Sequence, residues 1–564
     1  LNLTPLPLIA KGARQKAPTS SSPSPAPPSP RQIRYTFPLF SPQLQPPQRP
    51  LFVRLHQRNP PMLPSPLPAA WLAFHAQIRP HALALTDAQR GEALTYQALY
   101  QRVVQRSAGL VAAGLQAGDR VAVLADNRIE TLVLLFALAR HNALLLPLNW
   151  RLTVSELQFQ LDDTCPRWLF HDDTHATKAA QLTGCPAIAW GSPADADLMS
   201  AVATAPALPH PEAPLLLLYT SGTTGQPKGA LLSQRMVTAN ADNTALSWGV
   251  SAEDRTVAHA PFFHTGGLNV LTLPLLQRGG VVAVMPRFDA GQVLAAIQAR
   301  AVTVFFGVPT MYEQLAAHPD FAATDFAPLR FCVSGGAPCP DALIARYQSH
   351  GVTLQQGYGL TEAGVNCFAW PRATPAYPSK IVSGKVGYPN WLTRARVVDA
   401  LGKPVAAGAT GELWLAGSTL CSGYWQRPEA TAALFCGDWL KTGDLFTVDA
   451  SGCYTIVDRL KNLFISGGEN VYPAELETHL REHPEVVDCA VIGVADDRWG
   501  EVGCAFVVLR DDESPPSTQA LHDFMATRLA RYKLPRHYRF VKSLPLSSTG
   551  KVMKPILMAA WQRG

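Results

Sequence analysis

From about Ala69 onward, short apolar runs rich in β-branched residues alternate with stretches whose apolar positions recur at helical spacing. Asp119-Arg120-Val121-Ala122-Val123-Leu124 reads as a strand after a Gly-Asp turn, and Val281–Met285, Val302–Phe306 and Leu329–Val333 read the same way. Between them, stretches such as Ala290–Arg300 and Asp341–Ser349 have the pattern of amphipathic helices. Leu94-Thr95-Tyr96 leads into a helix expected to end near Leu115. The longest apolar stretch, Thr131 to Leu148, is interrupted by Arg140, His141 and Asn142. That centre is too polar for a membrane span, so the stretch predicts a buried helix followed by a strand. Strands alternating with helices predict an α/β fold with largely parallel sheets. No repeat of fixed period is visible.

Leu215 to Tyr219 is a fifth apolar run, and its continuation carries the first chemistry. Thr220-Ser221-Gly222-Thr223-Thr224-Gly225-Gln226-Pro227-Lys228-Gly229 follows it directly. Small residues let backbone N–H groups approach an anion. The hydroxyls of Ser221, Thr223 and Thr224 add donors, and Lys228 adds a point charge suited to phosphate. This is a polyphosphate cradle, and it lacks the G-x-x-x-x-G-K-[ST] order of the P-loop. The segment resembles the phosphate-binding signature of the adenylate-forming superfamily, which includes acyl- and aryl-CoA synthetases, peptide-synthetase adenylation domains and beetle luciferases.

Six later segments extend the resemblance in the family's order. Gln356-Gly357-Tyr358-Gly359-Leu360-Thr361-Glu362-Ala363 sets a glycine-flanked aromatic face beside a hydroxyl and a carboxylate. By resemblance, Tyr358 stacks on adenine, Thr361 binds the α-phosphate and Glu362 holds Mg²⁺. Upstream, Ser334-Gly335-Gly336-Ala337-Pro338 is similar to the loop lining the adenine and the acyl pocket. Lys441-Thr442-Gly443-Asp444 resembles the motif whose aspartate grips the ribose hydroxyls. Asp458-Arg459-Leu460-Lys461-Asn462 resembles the boundary to a small C-terminal domain, with Arg459 on the nucleotide and Lys461 at the pivot. Many relatives carry an acidic residue where Asn462 stands, which puts a local salt bridge in doubt. Ser466-Gly467-Gly468-Glu469 is similar to the loop that enters the site for the second half-reaction, its glycines passing the pantetheine arm of CoA. Ser548-Thr549-Gly550-Lys551 matches the last motif, which makes Lys551 the catalytic lysine.

The resemblance implies two steps. A carboxylate attacks the α-phosphorus of MgATP, giving an acyl-adenylate and pyrophosphate. A thiol then attacks the adenylate carbonyl and AMP leaves. Thr220 to Lys228 would hold the pyrophosphate, and the C-terminal domain would rotate between steps. Pro261-Phe262-Phe263-His264-Thr265-Gly266-Gly267-Leu268-Asn269 aligns with the segment before the acyl pocket, with His264 as gate. Amino-acid-activating members have an aspartate where Thr265 stands, so an amino acid is disfavoured. With only 13 residues after Lys551, a fused carrier domain is not expected, and free CoA is the expected acceptor. The candidate pocket segments Gly266–Leu268, Phe305–Val308 and Val365–Phe368 are mainly apolar. Two glycines beside the gate suggest a long tunnel, so a medium- or long-chain fatty acid is the leading expectation. A benzoate- or hydroxycinnamate-like acid is the alternative, as is an adenylating enzyme that loads a separate carrier protein. The expected co-substrates are thus ATP and CoA with Mg²⁺.

Composition changes this picture at the N-terminus only. Residues 1–61 hold 15 of the 49 prolines and eight Lys or Arg but no Asp or Glu. The net charge of +6 therefore belongs to this arm, and the remainder carries −2. The body gives no electrostatic footprint for nucleic acid. The arm cannot bury enough apolar surface to fold alone. Met62 directly precedes the first domain-like sequence, so 1–61 is expected foremost to be upstream translated sequence, with a disordered native arm or an acid-free, Ser-rich organelle transit peptide as alternatives, the last opposed by prolines too frequent for an amphipathic helix. The resemblance places an AMP-binding N-terminal domain over 62–460, with parallel sheets, helices and a smaller β subdomain. It places a small mobile α+β domain over 461–564. Ten scattered cysteines with no metal spacing suit a reduced, cytoplasmic protein. Oligomeric state leaves no trace in the sequence, and a homodimer stays open.

Overall fold

The computed structural model describes residues 66–563 except 88, 200–207, 221–226, 371–383, 467–468, 511–515 and 548–550. The arm 1–61 lies outside the described residues. Among those described, the strands form five sheets. A six-stranded sheet runs in the order Ala187–Ala189, Trp168–His171, Arg120–Leu124, Leu144–Pro147, Pro214–Thr220, Lys228–Ser233. All its neighbours are parallel except the last pair, a hairpin in which Thr220 sits opposite Lys228. A second sheet places Leu83–Asp87, Val281–Val284 and Arg255–Ala258 in parallel, with Glu92–Thr95 antiparallel at its edge. Three parallel strands, Val304–Gly307, Phe331–Ser334 and Leu354–Gln356, form a third.

Helices cover these sheets for reasons visible in their sequences. Ile129–Ala139 is apolar on nearly every face and is buried almost throughout, as the core of a layered domain demands. Tyr96–Ala112 starts on Thr95, whose side chain accepts from the Ala98 N–H. It ends before Leu115 because Gly114 takes φ +88° and the Leu115 N–H turns back to the Leu110 carbonyl. Val154–Thr164 begins with a full capping box between Thr153 and Glu156. The strand expected from Val302 starts instead at Val304. Thr303 is held in the preceding turn, its hydroxyl donating to Asp254 at 2.8 Å and accepting from the Arg255 N–H.

The chain then changes character. Lys385–Pro389, Thr393–Val398, Gly411–Gly417, Trp439–Val448 and Tyr454–Arg459 build an antiparallel sheet with its own core around Phe368, Leu413, Leu440 and Phe446. A C-terminal α+β domain follows. Its long hairpin Val486–Asp496/Gly500–Leu509 packs helices Pro473–Leu480, Thr518–Ala526 and Lys554–Gln562 around clusters drawn from residue 464 onward. The α/β class and the added C-terminal domain are therefore as the sequence predicts. No described helix is long and apolar enough to cross a membrane. None of the ten cysteines is in a disulfide.

Candidate functional site

The candidate residues gather at the carboxyl ends of parallel strands, where open α/β sheets leave crevices. Thr220 ends one strand, Ser334 and Gln356 end two others, and His259 follows a fourth. Hairpin pairing puts Thr220 and Lys228 side by side. Between them, Ser221, Gly222, Thr223, Thr224 and Gly225 lie outside the described residues. The Thr220 hydroxyl lies 3.4 Å from Glu362 Oε1, and the Tyr424 hydroxyl donates to the same oxygen at 2.8 Å. The Lys228 ammonium stands 5.5 Å over the Tyr424 ring. Glu362 sits in a single 3₁₀ turn, Thr361–Ala363.

Backbone geometry explains the glycines here. A Cβ on Gly359 would sit 2.2 Å from the Val365 carbonyl oxygen, so only glycine lets these two segments touch. Gly357 donates to the Ser334 carbonyl at 2.7 Å, which ties the strand end to the neighbouring loop. Gln356 braces that loop further. Its amide donates to the Ala337 carbonyl at 3.1 Å and its oxygen accepts from the Cys339 N–H at 2.8 Å. Gly335 donates to the Gly307 carbonyl, and Gly336 takes φ +83°.

A second cluster forms around Asp444. The register of Trp439–Val448 against Tyr454–Arg459 sets Asp444 opposite Arg459, and their side chains pair at 3.2 Å. The Tyr358 hydroxyl donates to Asp444 at 2.6 Å, and burial with this carboxylate keeps the phenol protonated. Lys461 and Lys551 both lie within electrostatic reach of Asp444. Desolvation lowers the pKa of each, Arg459 lowers it further, and Asp444 pulls it back up. Lys551 keeps solvent-exposed surface, yet it also feels Glu362, and its charge reaches His264. One lysine from the C-terminal domain thus joins Glu362, Asp444 and His264. Gly467 and Gly468 lie outside the described residues. The doubt over Asn462 resolves simply, since its amide donates to Asp458 at 3.0 Å. That same carboxylate accepts from the Arg459 and Ala474 N–H groups.

His264 stands beside Phe263, ring centroids 4.5 Å apart, and its Nε2 is buried without a partner among the described residues. Burial drives its pKa down to about 4, and the charges of Arg151 and Lys551 act in the same direction. Burial likewise takes His259 to about 4, against the pull of its bond to the Phe306 carbonyl. In the unfolded chain both bind protons near pH 6.5, so between the two values the unfolded state holds more protons. Stability is then complete above about pH 6.5 and is lost as pH falls toward 4. For His259, only 2% exposed, the loss amounts to about 2 kcal/mol at pH 5. Urea melts should show this slope in the wild type and a shallower one in His259→Phe; equal slopes would remove His259 as a cause.

Sequence reasoning overlooked two residues. Tyr424 was marked only by an aromatic after Ser422-Gly423. Arg151 lies 4.8 Å over Trp150 and 5.8 Å over Phe263. Its signal was its place just past the carboxyl end of Leu144–Pro147. Asp126, Asp172 and His175 offer three ligand atoms within 4.8 Å. They are already engaged, Asp126 with Arg287 at 3.0 Å and His175 at 3.2 Å, and Asp172 with the Asp126 and His175 N–H groups. That arrangement is an internal ion-pair network. For a magnesium ion, Glu362 suits better: both of its described hydrogen bonds fall on Oε1, leaving Oε2 without one among the described residues.

Comparison with known proteins bears on this geometry. The family model for the AMP-binding enzyme matches residues 72–425, and that for the AMP-binding enzyme C-terminal domain matches 475–551. A feruloyl-CoA synthase of an Amycolatopsis species is 42% identical over 86% of this chain and 97% of that protein. An indoleacetate–CoA ligase of Aromatoleum aromaticum is 37% identical over 86% and 96%. The crystal structure of ATP-bound MatB from Rhodopseudomonas palustris superposes with a TM-score of 0.80 at 32% identity, covering 88% of this chain and 99% of that one.

Proposed function

The chain belongs to the AMP-binding enzyme family as an AMP-forming CoA ligase, and from that premise we propose that it joins an aryl carboxylic acid to CoA. The observation that carries the aryl reading is the state of the two glycines beside His264. A Cβ on Gly267 would lie 2.3 Å from the Pro261 carbonyl oxygen, so this glycine serves close backbone packing and opens no tunnel. Gly266 is covered by the Phe306 ring, which would stand 3.2 Å from an added Cβ, and Gly335 meets the same ring at the same distance. The Phe306 ring thus stands against both Gly266 and Gly335, and on the aryl reading it is the floor of a short slot for the acid. A flat ring suits a glycine-walled slot; a long alkyl chain, the leading expectation from sequence, would have to displace that floor.

The residues divide the chemistry as follows. Thr220 and Lys228, with Ser221 to Gly225, hold the β- and γ-phosphates. Asp444 accepts from the ribose hydroxyls, Tyr358 faces adenine, and Gly335 to Ala337 with Gln356 shape the nucleotide wall. Glu362 would hold Mg²⁺, which when bound neutralises phosphate charge. The acid's carboxylate oxygen attacks the α-phosphorus, and the bond to pyrophosphate breaks. Lys551, beside Glu362 and Asp444, stabilises the charge that develops there. His264, held neutral by burial, lines the carboxylate's approach without adding charge of its own. In the second step the CoA sulfur attacks the adenylate carbonyl carbon, and AMP leaves with the bonding electrons. Arg459, Lys461, Gly467 and Gly468 belong to the hinge and loop that exchange between the steps.

AMP release by the full chain with MgATP, across aromatic and straight-chain acids with and without CoA, tests this reading. The expected result is release that needs both an acid and CoA, with kcat/KM for the best aryl acid at least about tenfold above any long-chain acid. A preference for long-chain acids would overturn the aryl assignment. Acid-dependent pyrophosphate exchange without CoA-stimulated AMP release would replace it with carrier loading.

A further inference from the structure

Past His264 the chain enters a single π-helical turn, Gly266–Val270, and then the helix Thr272–Arg278. In a continuous α-helix the Val270 carbonyl would accept from the N–H of residue 274. In the π-helical register the Asn269 carbonyl would accept from that same N–H. Residue 274 is proline, which has none. Asn269 and Val270 are 2% and 1% exposed, so water does not replace the missing donor, and buried carbonyls of this kind need partners from elsewhere.

Two asparagines supply them. Asn240 Nδ2 donates to the Asn269 carbonyl at 2.6 Å. Asn366 Nδ2 donates to the Val270 carbonyl at 3.0 Å and lies 3.4 Å from that of Asn269. The pair is joined, since the Asn366 N–H donates to Asn240 Oδ1 at 3.2 Å. The Thr244 hydroxyl donates to the Asn240 carbonyl at 2.8 Å and accepts from Asn366 Nδ2. Asn390 Nδ2 donates to the Asn366 carbonyl at 2.8 Å. None of these four residues is more than 2% exposed. A buried network of this kind penalises any shift that unpairs a member, and so holds its segments in one arrangement.

Asn366 is the polar hub, and it stands four residues after Glu362. Its loop is folded back on itself: the Cys367 N–H donates to the Tyr358 carbonyl at 3.1 Å, and Gly359 and Val365 touch too closely for a side chain between them. Asn366 is thereby fixed relative to Tyr358 and Glu362. The turn that it holds is tied back to the gate, since the Gly267 N–H donates to the His264 carbonyl at 3.0 Å and Asn269 Nδ2 donates to Thr265 Oγ1 at 3.2 Å. We propose that Asn366 is a positioning residue that sets the acid-side segment His264–Val270 against the nucleotide-side segment Tyr358–Glu362. It acts through both segments and touches no substrate. The inference rests on the ligase reading, in which these segments meet acid and nucleotide. Attack of the carboxylate oxygen on the α-phosphorus needs two separate reactants aligned, and a misplacement of about 1 Å costs on the order of a hundredfold. An acyl-adenylate carries both parts in one molecule, so the second step is far less exposed to this loss.

The test compares Asn366→Leu with Asn243→Leu in the full chain. Asn243 is a control of the same kind: it is 0% exposed, and its amide bonds to Thr393 at 3.0 Å and to the Leu392 N–H at 2.7 Å, reaching neither segment. Pyrophosphate exchange is measured with cinnamate or, should the wild type prefer it, decanoate, and thioester formation is measured from the matching acyl-adenylate and CoA. Asn366→Leu should lower kcat for exchange about thirtyfold or more, with KM for ATP and the rate from supplied adenylate within about threefold of wild type. Asn243→Leu should leave all three within about threefold. Asn366→Ser keeps a hydroxyl donor in a smaller side chain and should move in the same direction by less; it decides the matter if the leucine variant does not fold. Equal loss of both half-reactions, or equal effects at Asn366 and Asn243, would reduce the network to a structural role and overturn the inference while leaving the ligase reading intact. A change confined to KM for ATP would overturn it too, since Asn366 would then act on the nucleotide side alone. No acid-dependent exchange by the wild type would remove the ligase reading, and the inference with it.

Discussion

Lys551→Ala is expected to depress acid-dependent pyrophosphate exchange by about a hundred- to a thousandfold, the scale seen when one preorganised charge-stabilising group is removed. The reason is position. The Lys551 ammonium shares electrostatic reach with Glu362, Asp444 and His264, the groups proposed above to meet nucleotide and acid. Desolvation there lowers its pKa and strengthens its interaction with charge developing nearby. Its backbone is tied to Ser547: the Ser547 N–H donates to the Lys551 carbonyl at 2.7 Å, and the Lys551 N–H donates to Ser547 Oγ at 3.1 Å. An isolated bridge pairs Leu546 with Val552. Because the second step needs no charge at the α-phosphorus, thioester formation from supplied acyl-adenylate and CoA should stay within a few fold of wild type. Measuring both half-reactions on the same preparation decides the matter. Equal loss of the two would mean that Lys551 supports the fold of the cleft and has no step of its own.

Asp444→Ala should have the next largest effect, chiefly on ATP. Asp444 is 5% exposed and accepts from Tyr358 while pairing with Arg459. It is also the counter-charge for Lys461 and Lys551. Its removal leaves a buried phenol without this acceptor, Arg459 and Lys461 without the carboxylate they face, and Lys551 with Glu362 as its remaining counter-charge. Unsatisfied partners of this kind cost about 2 kcal/mol, which corresponds to roughly thirtyfold in binding. KM for ATP should rise by that order with a smaller change in kcat. Asp444→Asn, which keeps an acceptor but not the charge, should fall between. An unchanged ATP KM in both variants would detach Asp444 from the nucleotide.

A residue's type says little without its neighbours. Two glycines beside His264 suggest open space in the sequence; in the structure each missing side chain is answered by a neighbour, one by Phe306 and one by backbone. Phe306 arrives from a strand some forty residues later, and no local pattern announces that meeting. Tyr424 and Arg151 were missed for a related reason. Each lies outside the phosphate-binding segments and reaches the site only because sheet order brings its loop to the same edge.

What the chain determined by itself is what depends on spacing within one segment. Apolar periodicity set the strands and helices to within a few residues, because burial of one face acts locally. The Thr220–Lys228 loop, the Gly357–Glu362 segment and the Thr442–Asp444 turn stand out as candidates because they set small residues, hydroxyls and charges at fixed offsets. Tertiary structure alone decided which of these groups face one another. Asp444 meets Arg459 through strand register, and Thr220 meets Glu362 across 142 residues. The cover that Phe306 lays over Gly266 and Gly335 was invisible for the same physical reason: whether a glycine faces open space depends on what surrounds it in space, and sequence neighbours do not carry that information.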